Sequence, residues 1–257
     1  MRAQGHPFLW TLLSFAIVFV AWELTVRLFA LPEYLLPGPE PVLAALVQNI
    51  RTLAVQSLWT AGTVLAGFLV AAAVAIPLAM LIVISPVLER LLYPPMVATQ
   101  SIPKIALAPL FIVWLGLGMA SKVAVVVLAT FFLVFFNTYS GLLNVNEELL
   151  RLARLMGASW HHCIFRVVLP SAGDQIFIGL KTAVPYAVIG AVIGEYIGSN
   201  AGLGHFILYA SQTYDAPALF SGIAALIVIV FVCNFTLNAL ERRLIRWRHI
   251  EGATVQL

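Results

Sequence analysis

Of the 257 residues, 62% are hydrophobic and only 10% are charged, with a mean hydropathy of +1.01. A soluble domain carries about 25% charged residues, so the composition excludes a water-soluble fold and predicts an all-α protein of the lipid bilayer. The formal charge of +3 does not point to nucleic acid: Arg242, Arg243, Arg246 and Arg248 follow a long apolar run, as on a cytoplasmic membrane flank, and basic residues do not interleave with aromatics.

Crossing the hydrocarbon as a helix takes about 20 apolar residues. The first predicted span is 8–29, with Trp10 and Trp22 near its ends where interfacial aromatics sit. Arg2 and the apolar stretch mimic a secretory leader, but Leu28-Phe29-Ala30 lacks the small residue a cleavage site needs, so the segment is read as a retained anchor. Residues 42–56 contain Asn49 and Arg51 and read as an amphipathic surface helix.

The second span, 58–84, carries no charge and many small residues, which let helices approach closely in lipid. The third, 91–117, is interrupted by Pro94, Pro95, Pro103 and Pro109 and contains Lys104. Broken helices are tolerated only where protein or a water-filled cavity satisfies the freed backbone, so this span should face protein or a pore. Spans 123–144, 176–197 and 219–240 complete a predicted set of about six, all within one membrane domain, 1–257. A glycine-rich loop is expected between the last two, with Gly202-Leu203-Gly204 as a turn.

Placing both termini in the cytoplasm puts Arg2, Arg90, Arg151, Arg154, Arg166 and the tail arginines inside, leaving Arg27, Arg51 and Lys122 outside, in keeping with the positive-inside bias. Cys163 and Cys233 form no CxxC pair and indicate neither a disulfide framework nor a thiolate metal site. His161 and His162 are adjacent, so on a helix they diverge and cannot chelate together. Asp174 and Lys181, seven residues apart, share a helix face and are expected to play a structural, ion-pairing role.

No GxxxxGK[ST] run and no internal repeat is present, so uphill transport would draw its energy from another chain. An integral membrane enzyme would need convergent polar groups at bilayer depth, where only Lys104, Lys181 and Glu195 are available. An ion-coupled carrier would be expected to show buried acids or repeat symmetry.

The longest polar stretch, 146–175, separates the fourth and fifth spans. Apolar residues recur at helical spacing (Leu149, Leu152, Leu155, Met156), then come a break at Gly157, a second short helix, and Leu169-Pro170 as a stop. Such a helix–turn–helix on the cytoplasmic face is suited to docking a soluble partner. Ala153, Gly157, Val167, Leu169 and Pro170 stand in the register of the cytoplasmic signature of bacterial ABC importer permeases, with Arg151 and Leu152 where that signature has Glu and its first Ala. The chain resembles that family, and an Arg at this position is similar to its taurine, sulfonate and nitrate branch. The runs 35–39, 103–111, 114–118, 194–196 and 202–204 carry the same resemblance.

The resemblance implies a type I importer permease fold in the bacterial inner membrane, worked through Arg151, Ala153, Gly157, Ala158, Leu169 and Pro170 by a cytoplasmic ATPase dimer. That partner would bind ATP and Mg, with no cofactor or metal on this chain. It further implies a second permease copy, an external substrate-binding protein, and a small solute: an anion such as a sulfonate, taurine or nitrate, or alternatively an aromatic carboxylate or vitamin precursor. Many members carry an Arg near the position of Thr63; Thr63, Gln100, Lys104 and Glu195 are the candidate pathway residues.

Overall fold

The computed structural model describes residues 7–245, so Arg2, Arg246 and Arg248 lie outside the described residues. Every regular element among the described residues is helical. In chain order these are α1 (Pro7–Leu28), α2 (Pro39–Gln48), α3 (Ile50–Ile84), α4 (Pro86–Thr99), α5 (Ala108–Leu115), α6 (Met119–Leu143), α7 (Glu147–Leu155), α8 (Trp160–Cys163), α9 (Leu169–Gly198), α10 (Leu203–Gln212) and α11 (Ala216–Leu244). A 3-10 turn, Lys104–Leu107, joins the α4–α5 connection, and a π turn, Ile164–Val168, joins α8 to α9.

The core is α6 clasped between α3 and α9. Val126 of α6 is fully buried between two glycines. A Cβ at Gly67 of α3 would lie 2.5 Å from the Val126 side chain, and one at Gly190 of α9 would lie 3.1 Å from its Cα. Further along, Gly179 meets Asn137 and Gly194 meets Lys122 at similarly short range. With lipid on one side and no hydrophobic drive between helices, such approach gains dispersion contacts that larger residues would forfeit.

Among the described residues, four helices are long and apolar enough to cross a membrane, α3, α6, the continuous 39-residue run Trp160–Gly198 and α11, and the bent pair of α4 with Lys104–Leu115 makes a fifth if it counts as one span. The predicted third span is not one rod. α4 and the Lys104–Leu115 segment meet at 90°, so Gln100–Pro103 forms a corner where the chain turns sharply. Pro103, without an amide hydrogen, and Pro109, in the first turn of α5, suit this corner because both positions need no helical donor there. α4 is held at its other end by Tyr139, whose hydroxyl donates to Glu89 Oε1 (2.5 Å) while its ring stacks on Tyr93 at 4.7 Å.

Several expected boundaries shift. The predicted surface helix 42–56 is divided at Asn49: α2 lies before it, and α3 begins at Ile50 rather than 58, running 35 residues. Pro170 does not stop a helix. Its missing N–H and its ring are accommodated by the preceding π turn, where the Leu169 amide donates to Ile164 O, and the chain continues from Trp160 to Gly198 without a break. The expected loop after the fifth span contains α10, and Gly202 is its N-cap at φ +105°. Lys181 pairs with Glu241 of α11 (2.5 Å), not by virtue of its spacing from Asp174.

Overpacking inside a close helix contact costs about 1–3 kcal/mol. Gly67→Leu should therefore lower the thermal unfolding midpoint of the detergent-solubilised protein, whereas Gly118→Ala, with open space around its Cβ position, should leave it unchanged. Equal midpoints for the two variants would refute the Val126 clasp.

Candidate translocation cavity and coupling surface

Two regions combine polar chemistry with exposure. The first is a cavity of about 300 Å³ on the joint face of α6 and α9, beneath the corner between α4 and α5. The corner supplies Gln100, Lys104 and Ile105; α6 supplies Val125, Ala129, Phe132, Leu133, Phe136 and Asn137; α9 supplies Tyr186, Ile189, Gly190 and Ile193. Positions 125–137 fall in the middle of α6 and 186–193 in the second half of α9, so the cavity lies along the helices, away from their ends. Lys104 Nζ sits 5.1 Å from the centroid of the Phe132 ring and makes a long contact to Gln100 O (3.5 Å). It pairs with no carboxylate among the described residues.

Of the sequence-predicted pathway residues, Gln100 and Lys104 line this cavity, while Thr63 and Glu195 are buried elsewhere. The Thr63 hydroxyl donates back to Trp59 O of its own helix (3.2 Å). Glu195, at 1% exposure, accepts from Thr60 Oγ1 at 2.8 and 3.0 Å and from the Gly204 amide at 2.7 Å. Thr60 Oγ1 in turn accepts from the Leu203 amide (2.8 Å), and Gln56 accepts from the Gly202 amide (2.5 Å). The carboxylate thus fills the open N-terminus of α10, where free amides and the helix dipole favour an anion, and ties α3, α9 and α10 together. A Cβ at Gly202 would fall 2.2 Å from the Glu195 carboxyl carbon, so the Gly202-Leu203-Gly204 run is shaped to this side chain.

The second region is the polar segment between α6 and α9. α7 opens on Asn146, whose side chain accepts from the Glu148 amide (2.8 Å). It closes in a Schellman motif: Ala158 donates to Ala153 O and Gly157 to Arg154 O, both at 3.0 Å, with Gly157 in the left-handed region at φ +82°. Ala153 and Gly157 of the predicted signature are therefore the two ends of one helix stop. Ser159 then caps α8 by accepting from His162 N (3.4 Å). Leu152, Leu155, Met156, Trp160 and Phe165 are exposed, with Leu155 at 86%. Arg154 and Trp160 cover a small cavity of about 130 Å³ shared with Met80, Ile84, Leu142 and Ile164, which connects this surface to the ends of α3 and α6. Leu169 and Pro170 lie in the half-buried first turn of α9 that continues from it.

A bundle of apolar helices with a cavity between its helices and a polar elbow at one end suits a membrane transport subunit. Residues 73–249 match the model of the binding-protein-dependent transport system inner membrane component family, and the chain belongs to that family: it is a permease subunit of an ABC importer, a multi-pass protein of the bacterial inner membrane. It is 37% identical to the formylaminopyrimidine transport permease protein ThiX of Halalkalibacterium halodurans, over 92% of this chain and 94% of that one. It is 27% identical to the taurine transport system permease protein TauC of Escherichia coli K12, over 91% of this chain and 88% of that one, in keeping with the taurine and sulfonate branch. Its fold is similar to that of a chain in the inward-facing MetNI methionine ABC transporter, with a TM-score of 0.67 at 18% identity, covering 76% of this chain and 97% of that chain.

Leaving buried donors without an acceptor costs about 1–3 kcal/mol per group. Glu195→Ala should accelerate amide hydrogen exchange in the first turn of α10 by roughly tenfold or more, while α6 stays protected. Unchanged exchange at Leu203 and Gly204 would remove the clamp from the account.

Proposed function

We propose that this chain forms half of a solute pathway that is opened and closed from the cytosol by a separate ATPase docking on the α7–Gly157–α8 elbow. The observation that carries this reading is the elbow itself: an amphipathic helix with exposed Leu152, Leu155 and Met156, stopped at a left-handed glycine and braced on the ends of α3 and α6. Arg90, Arg151, Arg154, Arg166, Arg242 and Arg243 lie at the same end of the antiparallel bundle, and Arg27, Arg51 and Lys122 at the other. By the positive-inside rule the elbow end is cytoplasmic. Spans α1, α3, the α4–α5 pair, α6, α9 and α11 then make six crossings with both termini inside.

ATP and Mg belong to the partner ATPase. A second copy of the chain supplies the other half of the pathway, and an external substrate-binding protein delivers the solute. The geometry supports type I coupling: Trp160–Gly198 is one continuous helix, so a push on the elbow would pass into α9. The solute carries a negatively charged group. A lysine at the bilayer centre costs about 2.5–3.5 kcal/mol on insertion scales, and Lys104, with no carboxylate partner among the described residues, gains its counter-ion from the cargo. Sulfonates, taurine and nitrate meet this requirement, as do aromatic carboxylates and those vitamin precursors that carry an acidic group; one relative is named for taurine, another for a formylaminopyrimidine, which carries no acidic group.

A β-branched residue at Gly157 would be forced into a left-handed conformation that costs about 1–3 kcal/mol and would undo the Schellman stop. Gly157→Val should leave the membrane level of the chain unchanged. In the reconstituted transporter it should reduce solute-stimulated ATP hydrolysis and uptake by at least about tenfold, since 1.4 kcal/mol is a factor of ten in an equilibrium. Wild-type turnover in that variant would rule out docking at this elbow.

A further inference from the structure

The cavity under the α4–α5 corner has a composition that discriminates among anions. Its charge is a single ammonium, Lys104, and its other polar side chains are the amides of Gln100 and Asn137 and the Tyr186 hydroxyl. One of the two Asn137 amide hydrogens is already donated to Leu133 O (2.8 Å). Most of the remaining wall is aromatic or aliphatic, and Phe132 and Phe136 run nearly parallel, 20° apart with centroids at 6.3 Å. Ala129 and Gly190 bring α6 and α9 close enough that the rings project past them rather than fill the space between.

A compact aliphatic sulfonate holds its three oxygens in a tight hydration shell. Stripping that shell requires charge-assisted donors on its oxygens in return; this wall sets its few polar groups among aromatic and aliphatic side chains that a compact sulfonate would leave uncovered. A planar ring bearing one acidic group makes the opposite demand: one cation for the acid, and apolar faces for the ring. Resting on the reading of the chain as an importer half-pathway, we propose that this cavity is a solute-recognition site for a planar aromatic or heteroaromatic acid, with the ring against Phe132, Phe136 and Tyr186 and the acidic group at Lys104. Lys104 Nζ already lies over the Phe132 ring, 5.1 Å from its centroid, so charge and aromatic ring are presented together. The site would therefore reject taurine-like solutes at the permease as well as at any external binding protein.

The test uses the full chain in lipid nanodiscs and three probes: benzoate, its saturated counterpart cyclohexanecarboxylate, and taurine. Benzoate and cyclohexanecarboxylate share a charge, and the saturated ring is the more hydrophobic, so a preference for benzoate reads stacking rather than apolarity. Saturation-transfer NMR titrations should show benzoate binding about threefold to tenfold tighter than cyclohexanecarboxylate and taurine weaker than either. Phe132→Leu should erase the benzoate preference, Phe132→Tyr should retain it, and Lys104→Gln should weaken both carboxylates. Equal or tighter binding of taurine or the saturated acid, a preference that survives Phe132→Leu, or no binding by any probe at millimolar concentration would overturn the proposal. None of those results touches ATPase docking, which the Gly157→Val variant reads separately.

Discussion

Val126 sits where two glycines leave no room for anything else, and the arrangement of the bundle follows from that grip. Gly67 on one side and Gly190 on the other bring α3 and α9 close against α6, at Gly67 closer than a Cβ would allow and at Gly190 tighter than an ordinary Cβ contact. In lipid this approach matters more than apolar character, because hydrocarbon solvates a leucine as well as another helix does. Where the small residues lie, the helices touch. Where they give way to Phe132, Phe136 and Tyr186, the helices are still close but the side chains stand clear, and a cavity results. Packing and cavity are thus two consequences of one spacing.

The corner between α4 and α5 is the second consequence. A bent, proline-rich segment exposes backbone groups that lipid cannot satisfy, so it is stable only against the α6–α9 face that the glycines have built. Its lysine is acceptable for the same reason: the ammonium meets an aromatic face and a polar rim rather than acyl chains. At the far end of α9, Glu195 plays a complementary part. It fixes α10 to α3, so one end of the bundle is tied while the other carries the exposed elbow. In the proposed mechanism that elbow is where a push from a partner would enter.

Much of this was legible in the residues. Uninterrupted apolar runs placed α3, α6, α9 and α11, and the spacing Ala153, Gly157, Leu169, Pro170 marked the elbow, because these are local signals. What escaped sequence reasoning depends on distant partners. Glu195 reads from the sequence as a pathway residue because nothing near it announces Thr60, 135 residues earlier in the chain. α10 read as a loop because its first turn is built from glycines, and their purpose, making room for the Glu195 carboxylate, is visible only in three dimensions. Pro170 read as a stop because proline usually is one; a π turn upstream absorbs the missing bond instead. Thr63, chosen by position alone, faces its own backbone.

The account turns on Lys104 standing in an aqueous pathway rather than in lipid. With Cys163 and Cys233 replaced by alanine, Lys104→Cys in the assembled transporter should react with a membrane-impermeant thiol reagent far faster than Leu69→Cys, which lies exposed on the outer face of α3. Labelling of position 104 as slow as that of position 69, with and without ATP, would place the corner in the bilayer and contradict the account.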